Sequence, residues 1–407
     1  MANNNDKKVL NVPALRFPEF SGEWRYSSLW NECDILCGYP FDGQDILEDS
    51  GSVKLLRGIN ITEGEIRHSK ELDRYYSGDI SRLEKYILKE GDLVLGMDGS
   101  KVGRNSAILT ISEHGSYLVQ RVCRIRSQKH NVEYIFHNIN NSKFHRYVDS
   151  VKTASAIPHI SQSDIQDYII AFPPTTEEQI KITSLFSLLD QRIATQNKII
   201  EKYESLIQAI SQKVLRPSEY WNEYRLCELA DIRSGYSGNQ VSHKTAYAVS
   251  RIETISKHRI DMLRVGYVQD IPSEYKLNVG DILFSNINSI QYIGNTAFVD
   301  KEYNLYHGMN LLRIIPKPSL VIPRFLHLIL CTSMAIKHFQ SICNKAVSQA
   351  SINQTSLGKI MLHIPPLTCQ EQICNVFESV EQRLNLEVYY LKRIQLQKNY
   401  LLRQMFI

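Results

Sequence analysis

An internal repeat constrains the fold of this chain more than any other feature of its sequence. The segment Trp24–Leu29 is matched by Trp221–Leu226 in the second half of the chain. Counted from each tryptophan, the Asp-Ile pair at Asp34 and the Gly-Tyr pair at Gly38 recur at the same spacing in the second half. Similarity that is maintained at a fixed spacing is the signature of a duplicated structural unit.

Further landmarks recur in the same order, although the loops between them differ in length. One short match would be a coincidence, whereas an ordered series indicates a duplication. The chain therefore consists of two copies of one unit, each with a globular part, a Pro-Pro pair and a long helix. The matched landmarks are Gly91–Leu95 with Gly280–Phe284, Cys123–Ile125 with Leu312–Ile314, Ile160–Gln162 with Ile352–Gln354, Pro173-Pro174 with Pro365-Pro366, and Leu189–Ile193 with Val380–Leu384.

Each globular part is predicted to be an α+β module. Short segments rich in β-branched and aliphatic residues, such as Leu93–Leu95 and Leu118–Ile125, predict strands. Tyr134–Val148 and Pro323–Ile342 are each predicted to form one helix, and in the second of these the apolar residues recur at helical spacing. The predicted domains are residues 1–174, followed by the long helix 175–216, and residues 217–366, followed by the long helix 367–407.

The two long helices each carry a narrow apolar stripe. Threonines and acidic residues after Pro173-Pro174 favour a helix start, and Pro217 ends the first helix. The apolar residues then alternate at spacings of four and three, which is typical of a coiled-coil seam. The predicted seam residues are Ile182, Phe186, Leu189, Ile193, Ile200, Tyr203, Ile207, Ile210 and Val214 in the first helix, and Ile373, Phe377, Val380, Leu384, Leu391, Ile394, Leu401 and Met405 in the second.

Both seams are interrupted by a polar residue at the same place in the repeat, Gln196 in the first helix and Glu387 in the second. A lone helix of this length has no means of shielding such a stripe from water. The natural partner of each helix is its repeat copy, and we predict that the two helices pack as an antiparallel coiled coil. The alternative is that each helix packs on a separate globular core.

The composition is that of a folded protein without a membrane segment. Of the 407 residues, 43% are apolar and 22% are charged, and the formal net charge of +4 is compatible with nucleic-acid binding without arguing for it. The sequence contains no run of about 18 apolar residues, and its start lacks the apolar run of a secretory signal. The eight cysteines form no Cys-x-x-Cys pair, so we expect reduced thiols, no metal and a cytoplasmic protein.

Three segments resemble the specificity subunits of type I restriction–modification enzymes. Val12–Trp24 is similar to the opening segment of these proteins. Pro173–Ile182 and Pro365–Ile373 resemble the Pro-Pro, acidic and Gln-rich helix starts of the family. The second helix start departs from the usual acidic run at Cys369 and Gln370, which concerns helix capping more than function. In its layout, the resemblance covers essentially the whole chain.

The resemblance implies two target-recognition domains that are joined and separated by the two long helices. Each domain would read one half of an asymmetric, bipartite site in double-stranded DNA. The helices would act as a spacer and as the docking surface for two modification (methyltransferase) subunits, which a restriction (translocase and nuclease) subunit can join. S-adenosylmethionine would bind the modification subunit, so this chain is expected to have no cofactor and no catalytic residues.

DNA contacts are expected from basic and amide side chains in both copies. Phosphates are contacted by Lys, Arg and short polar donors, and base edges are read by Arg, Lys, Asn and Gln. The loop around Gly103 is basic in the first copy, whereas the matching loop in the second copy is rich in amides. Any single one of these residues has the alternative of being only a solvated surface residue. The candidates are Arg57, Arg67, His68, Lys70, Lys101, Arg104, Lys152 and Ser155 in the first copy, and Arg251, Lys257, Arg259, Asn286, Asn288, Lys345 and Gln349 in the second.

Two other functions are weighed against DNA reading. A DNA adenine methyltransferase needs Asn or Asp before Pro-Pro and an aromatic residue to hold the flipped base, but Phe172 and Ile364 precede the Pro-Pro pairs here. A coiled-coil scaffold without a DNA role would explain the seam, but it would not explain two divergent α+β parts.

Overall fold

A computed structural model describes residues 11–49, 53–256, 258–345 and 349–407, apart from the Lys345 side chain, and every structural statement below refers to them. The chain divides into two compact units. The first unit comprises Met1–Gln196 and Tyr390–Ile407, and the second comprises Asn197–Tyr389. Each unit therefore contains one globular part and a portion of both long helices.

The globular part of the first unit is built from short strands and short helices. Its strands are β1 (Arg25–Ser28), β2 (Asp34–Cys37), β3 (Ile46–Leu47), β4 (Val53–Leu56), β5 (Arg74–Tyr76), β6 (Leu93–Gly96), β7 (Ser106–Ile108), β8 (Tyr117–Leu118), β9 (Val122–Arg126) and β10 (Ile169–Phe172). Its helices are α1 (Leu29–Glu32), α2 (Val132–Ile139), α3 (Ser142–Val151) and α4 (Gln162–Gln166), and the long helix α5 (Thr176–Val214) begins in this unit.

Three sheets organise the strands of the first unit, with the orders β2-β9-β6-β7, β3-β5-β4-β8 and β1-β10. Strand β6 is buried along its whole length. Leu93 and Leu95 belong to one apolar cluster and Val94 to another, because successive side chains of a strand point to opposite faces. The sheet β2-β9-β6-β7 is therefore covered on both faces.

The second unit contains the counterparts of these elements and some additional short strands. Its strands are β11 (Asn222–Arg225), β12 (Ala230–Ser234), β13 (Gln240–Val241), β14 (Tyr247–Val249), β15 (Ile255–Ser256), β16 (Arg259–Ile260), β17 (Gly266–Val268), β18 (Ile282–Phe284), β19 (Ile287–Asn288), β20 (Thr296–Phe298), β21 (Leu305–Tyr306), β22 (Leu312–Pro316), β23 (Asn344–Lys345), β24 (Ala350–Ser351) and β25 (Met361–Ile364). Its helices are α6 (Leu226–Leu229), α7 (Pro323–Leu330), α8 (Ser333–Ile342), α9 (Gln354–Gly358) and the long helix α10 (Leu367–Met405).

The strand order of the first unit is repeated in the second. The sheets β12-β22-β18-β20, β13-β17-β14-β21 and β11-β25 match the three sheets of the first unit strand by strand, while β15-β16 and β19-β24-β23 are additional. The match extends to strands within residues 40–90 and 237–279, two stretches whose sequences cannot be aligned with each other. In both copies a turn there is closed in the same way, because Asn60 Oδ1 accepts from the Arg57 amide (3.1 Å) and Thr254 Oγ1 accepts from the Arg251 amide (2.8 Å).

The long helices run antiparallel within each unit. In the first unit, Lys398 near the end of α10 bonds to Asp190 of α5, and the Phe406 ring lies 5.6 Å from the Phe186 ring. In the second unit, Ile210 near the end of α5 packs on the apolar cluster that contains Phe377, near the start of α10. The fold is thus α+β, with two repeated domains and two long helices in an antiparallel coiled coil. No helix in the described part of the chain has the length and apolar character needed to cross a membrane.

The predicted seam residues of both helices are buried or half-buried, as are Gln196 and Glu387. The helix starts also join the globular cores, because Ile182 and Phe186 belong to the core of the first unit and Ile373 to that of the second. The helices therefore combine coiled-coil packing with packing on the globular parts, which the sequence analysis treated as alternatives.

Three predicted segments are interrupted. Tyr134–Val148 is not one helix, because the Asn141 side chain accepts from two backbone amides and starts α3 afresh; Thr332 likewise caps α8 in the second unit. The predicted strand Leu118–Ile125 is two strands in different sheets, β8 and β9. They are separated at Arg121, whose φ of 67° lies in the left-handed region that a strand does not adopt.

Candidate nucleic-acid interface

In each unit, one loop lies against the segment that precedes a short helix. In the first unit the loop between β6 and β7 contacts residues before α4: the Gly99 amide donates to the Pro158 carbonyl (3.0 Å). In the second unit the loop between β18 and β20 includes β19, in which Ile287 pairs with Ser351 of β24. We call residues 97–105 with 152–159 the first loop surface, and residues 286–295 with 344–345 and 349–352 the second loop surface.

The first loop surface is basic, and its cations are paired with acids. Lys101 Nζ lies 2.9 Å from a Glu63 oxygen. Arg104 and Lys152 meet at the Asp149 carboxylate, at 2.6 and 2.7 Å. The hydrogen bonds from Lys152 and Arg104 lower the pKa of Asp149 to about 2. Because exposed ion pairs of this kind are weak, a DNA phosphate can compete for these cations.

The second loop surface carries amides in the place of these cations. Asn286 Nδ2 donates to a backbone carbonyl of the adjoining segment at 3.3 Å, whereas its Oδ1 is buried and has no hydrogen-bond partner in the described part of the chain. Asn288 Nδ2 donates to Ser285 Oγ at 3.1 Å. Gln349 is exposed. The side chain of Lys345 lies outside the described residues.

His68 is exposed, and both of its ring nitrogens contact acidic side chains of the first globular part. Its Nδ1 lies 2.9 Å from Asp73 and its Nε2 lies 2.9 Å from Glu113. Burial would raise the pKa of Glu113, but hydrogen bonds from Ser112, His68 and Thr110 lower it to about 2. The Glu113 carboxylate is therefore charged, and both ring nitrogens of His68 are engaged.

The other predicted DNA-binding residues of the first unit lie at two places. Arg57 is half-buried at the end of β4. Arg67 is exposed on the same turn, where its amide donates to the Asn60 carbonyl (2.8 Å), and Lys70 is exposed nearby in the sequence. Ser155 is exposed on the first loop surface, and its hydroxyl donates to a nearby backbone carbonyl at 2.7 Å.

The basic residues predicted in the variable stretch of the second unit have different contacts. Arg251 is exposed and lies 3.5 Å from Glu253. Arg259, on the hairpin β15–β16, donates to Asn385 Oδ1 of α10 at 3.0 Å, so it contacts a long helix instead of a loop surface. Lys257 lies outside the described residues.

Two glutamines that the sequence analysis did not single out attach the globular parts to the long helices. Gln179 Oε1 accepts from the amide of Asn131, the N-cap of α2, at 3.0 Å. Gln370 Oε1 accepts from the amide of Ile322, the N-cap of α7, at 2.8 Å. Both glutamines are buried. Each glutamine closely follows a Pro-Pro pair, Gln179 five residues after Pro174 and Gln370 four residues after Pro366, and this was the signal that the sequence offered.

A buried arginine also occupies the same strand position in both units. Arg124 donates to the Lys85 carbonyl, and Arg313 to the Glu274 carbonyl, each at 3.1 Å. Arg313 also lies 2.6 Å from Asp281. The landmarks Cys123–Ile125 and Leu312–Ile314 contain these arginines, but their burial shows that they support the sheets and are not available to DNA.

The comparison with known protein families identifies the repeated unit. A family model described as the type I restriction modification DNA specificity domain matches residues 24–205 and again residues 218–395. The chain belongs to this family. Its two globular parts are thus DNA specificity domains, and its function is to specify a DNA sequence. Specificity subunits of this family are non-catalytic.

Individual relatives have the same description. The chain is 38% identical over 184 residues to the protein named as the type I restriction enzyme MjaX specificity subunit of Methanocaldococcus jannaschii, an alignment that covers 43% of each chain. It is 22% identical over 427 residues to the type I restriction enzyme EcoBI specificity subunit of Escherichia coli, which covers 94% of this chain and 86% of the relative.

Solved structures share the fold at low sequence identity. The S subunit of a type I restriction–modification system from M. genitalium is 15% identical, with a TM-score of 0.58, over 97% of this chain and 99% of that one. A chain from a structural study of assembly and conformational transition in the type I R-M system is 16% identical, with a TM-score of 0.61, over 94% and 97%.

Proposed function

We propose that each unit reads one half of an asymmetric, bipartite sequence in double-stranded DNA, with the two loop surfaces as reading elements. One observation carries this proposal: the units share the order of three sheets, but they present loops of different chemistry. Lys101 and Arg104 suit guanine edges and phosphates, whereas the amide of Asn288 suits an adenine edge. A shared frame with unlike loops is what an asymmetric target requires.

The long helices support a second part of the proposal, the docking of two modification (methyltransferase) subunits. Apolar side chains outside the seam remain exposed, among them Leu188 (64%) and Tyr400 (56%) in the first unit and Val388 (47%) and Tyr389 (56%) in the second. Exposed apolar patches mark interaction surfaces. S-adenosylmethionine would bind the modification subunits, and a restriction (translocase and nuclease) subunit would carry out cleavage, so this chain would need no cofactor.

A binding experiment with the chain purified in complex with modification subunits tests this proposal. The target is first read from the methylated adenines of the source genome. Competition binding then compares the intact site with DNA in which one half or both halves are scrambled. We expect the intact site to bind at least about 1,000-fold more tightly than fully scrambled DNA, with an affinity that falls steeply as salt rises because phosphate contacts release counterions.

Paired variants assign the two halves. Arg104→Ala is expected to relax discrimination in one half-site only, and Asn288→Ala in the other only, by about 1–3 kcal/mol per lost base contact. Equal affinity for the intact and scrambled sites at moderate salt would contradict DNA reading and favour a scaffold role.

A further inference from the structure

Three side chains with metal-binding atoms meet within the second unit. His327 on α7, the C-cap residue Cys331 and His258 of the hairpin β15–β16 bring their ligand atoms within 4.8 Å of one another. Cys331 Sγ lies 3.4 Å from His327 Nε2 and 3.4 Å from His258 Nδ1. His327 and Cys331 are four residues apart on the helix, so they face the same side.

The two separations from Cys331 Sγ equal the edge of a tetrahedral zinc site. The sulfur also lies 4.0 Å from His327 Nδ1, so the His327 ring turns on binding to direct Nε2 at the ion. Zinc binds nitrogen at about 2.0–2.1 Å and thiolate at about 2.3 Å, which places neighbouring ligand atoms about 3.5 Å apart. We propose that His258, His327 and Cys331 bind one zinc ion, with a water molecule as the fourth ligand. Such an ion would attach the hairpin β15–β16 to α7 and so fix part of the second recognition domain.

His258 lies in the turn of the hairpin β15–β16. Its φ of 62° lies in the left-handed region, which tight hairpin turns use and in which histidine is more frequent than most other residues. The turn places the centre of the His258 ring 6.3 Å from that of His327.

The first unit shows that the shared fold does not need these ligands. At the positions of α2 that correspond to His327 and Cys331 lie Phe136 and Asn140. Asn140 is the C-cap of α2, as Cys331 is of α7. The frame thus folds with an aromatic ring and an amide at these two places, so His327 and Cys331 are not required by the fold that the two repeats share.

Zinc binding replaces the proton of the Cys331 thiol. The Zn–S bond forms as the thiol proton is released to solvent, and each imidazole ring binds the ion through the lone pair of one nitrogen.

Arg324 sets one condition on this binding. Its Nη1 lies 2.9 Å from His327 Nδ1, so the metal-free ring carries its proton on Nε2. When Nε2 binds zinc, that proton moves to Nδ1, and Arg324 must withdraw from it. Glu381, which already contacts Arg324 Nη2 at 2.5 and 2.6 Å, provides the place to which the guanidinium withdraws.

Titration of the purified full chain with Co²⁺ tests the site. Wild type is expected to bind one equivalent with a thiolate-to-cobalt charge-transfer band, which Zn²⁺ then removes by displacement. Cys331→Asn and His327→Phe introduce the residues that the first repeat already uses, so both variants are expected to fold and to lose the band. Cys227→Ser, which changes an exposed cysteine outside the group, is the matched control and should retain it.

Thermal unfolding provides a second readout. Zn²⁺ is expected to raise the Tm of wild type and of Cys227→Ser, but not that of Cys331→Asn, because a ligand stabilises only the state that binds it. The proposal is overturned if wild type shows no charge-transfer band, or if Cys331→Asn retains the band of wild type.

Discussion

Single polar side chains attach each globular part to the long helix that follows it. Glu178 at the start of α5 is 1% exposed and accepts two hydrogen bonds from Arg16, at 2.7 and 2.8 Å. Gln179 and Gln370 hold the N-caps of α2 and α7. Removing one partner of such a buried pair costs about 1–3 kcal/mol, so these helix entries are among the most sensitive positions of the fold.

Glu32 gives a pH dependence at the residue scale. Burial would raise its pKa, but hydrogen bonds from Ser27 and His130, together with Arg25, lower it from the usual 4.5 to about 2. A carboxylate with a lowered pKa stabilises the fold above its unfolded pKa, and this stabilisation is lost as the pH falls from about 4.5 to about 2. Glu32→Gln is expected to lower the free energy of unfolding by about 2 kcal/mol at pH 7.

Urea denaturation between pH 3 and pH 7 measures this effect. The difference between wild type and Glu32→Gln should shrink as the pH falls, because the wild-type carboxylate loses its advantage. Glu90→Gln, at an exposed position, is the control and should leave the unfolding free energy unchanged. A constant difference at all pH values would show that the lost packing, not the charge, matters.

At the scale of elements, the long helices have two apolar faces with different tasks. The seam faces inward, with Ile193 half-buried, whereas Leu188 on the same helix is 64% exposed. Seam burial stabilises the helix pair, and the exposed face is the one that we propose for the modification subunits. A charge on either face should therefore have a different consequence.

Ile193→Lys and Leu188→Lys separate these tasks. Ile193→Lys is expected to destabilise the fold by about 2–4 kcal/mol, because it buries an unpaired charge in the seam. Leu188→Lys should leave the Tm unchanged and weaken binding of the modification subunit. Thermal unfolding and co-purification measure the two effects; equal loss of Tm in both variants would show that the faces are not distinct.

The sequence predicts the regular elements of these helices better than the short ones. Heptads and Pro-Pro pairs are strong local signals, so the helix bounds 175–216 and 367–407 lie close to Thr176–Val214 and Leu367–Met405. The break at Asn141 depends on one side chain that caps a helix, and the break at Arg121 depends on one φ angle. Neither changes the apolar pattern, so neither is visible in it.

At the scale of the whole molecule, the duplication was evident from the sequence, but its extent was not. The strands within residues 40–90 and those within residues 237–279 belong to two sheets of the same strand order. Their sequences need not be similar, because many sequences satisfy the alternation of a short strand. The loop surfaces were predicted in part, since Lys101 and Asn288 lie on matching loops. The contact of Arg259 with Asn385 joins positions that are distant in the sequence, and no local pattern indicates it.

The exchange of a recognition domain is a prediction at this scale. Replacing residues 222–364 with the corresponding block of a relative should change one half of the methylated sequence and leave the other half unchanged. Genome-wide mapping of methylated adenines measures this. Exchange of residues 237–345 is the comparison: it separates β12 from its partner β22, so it should give a less stable protein. A change in both halves would contradict independent reading.

The first and last strands of each globular part are antiparallel neighbours, with Arg25 opposite Phe172 and Asn222 opposite Ile364. The polypeptide consequently enters and departs at adjacent points, so whatever lies between behaves as an interchangeable cassette. Recombination at these borders would give an organism a new target by altering a single half-site, while the other half-site and the docking face proposed for the helices stay unchanged.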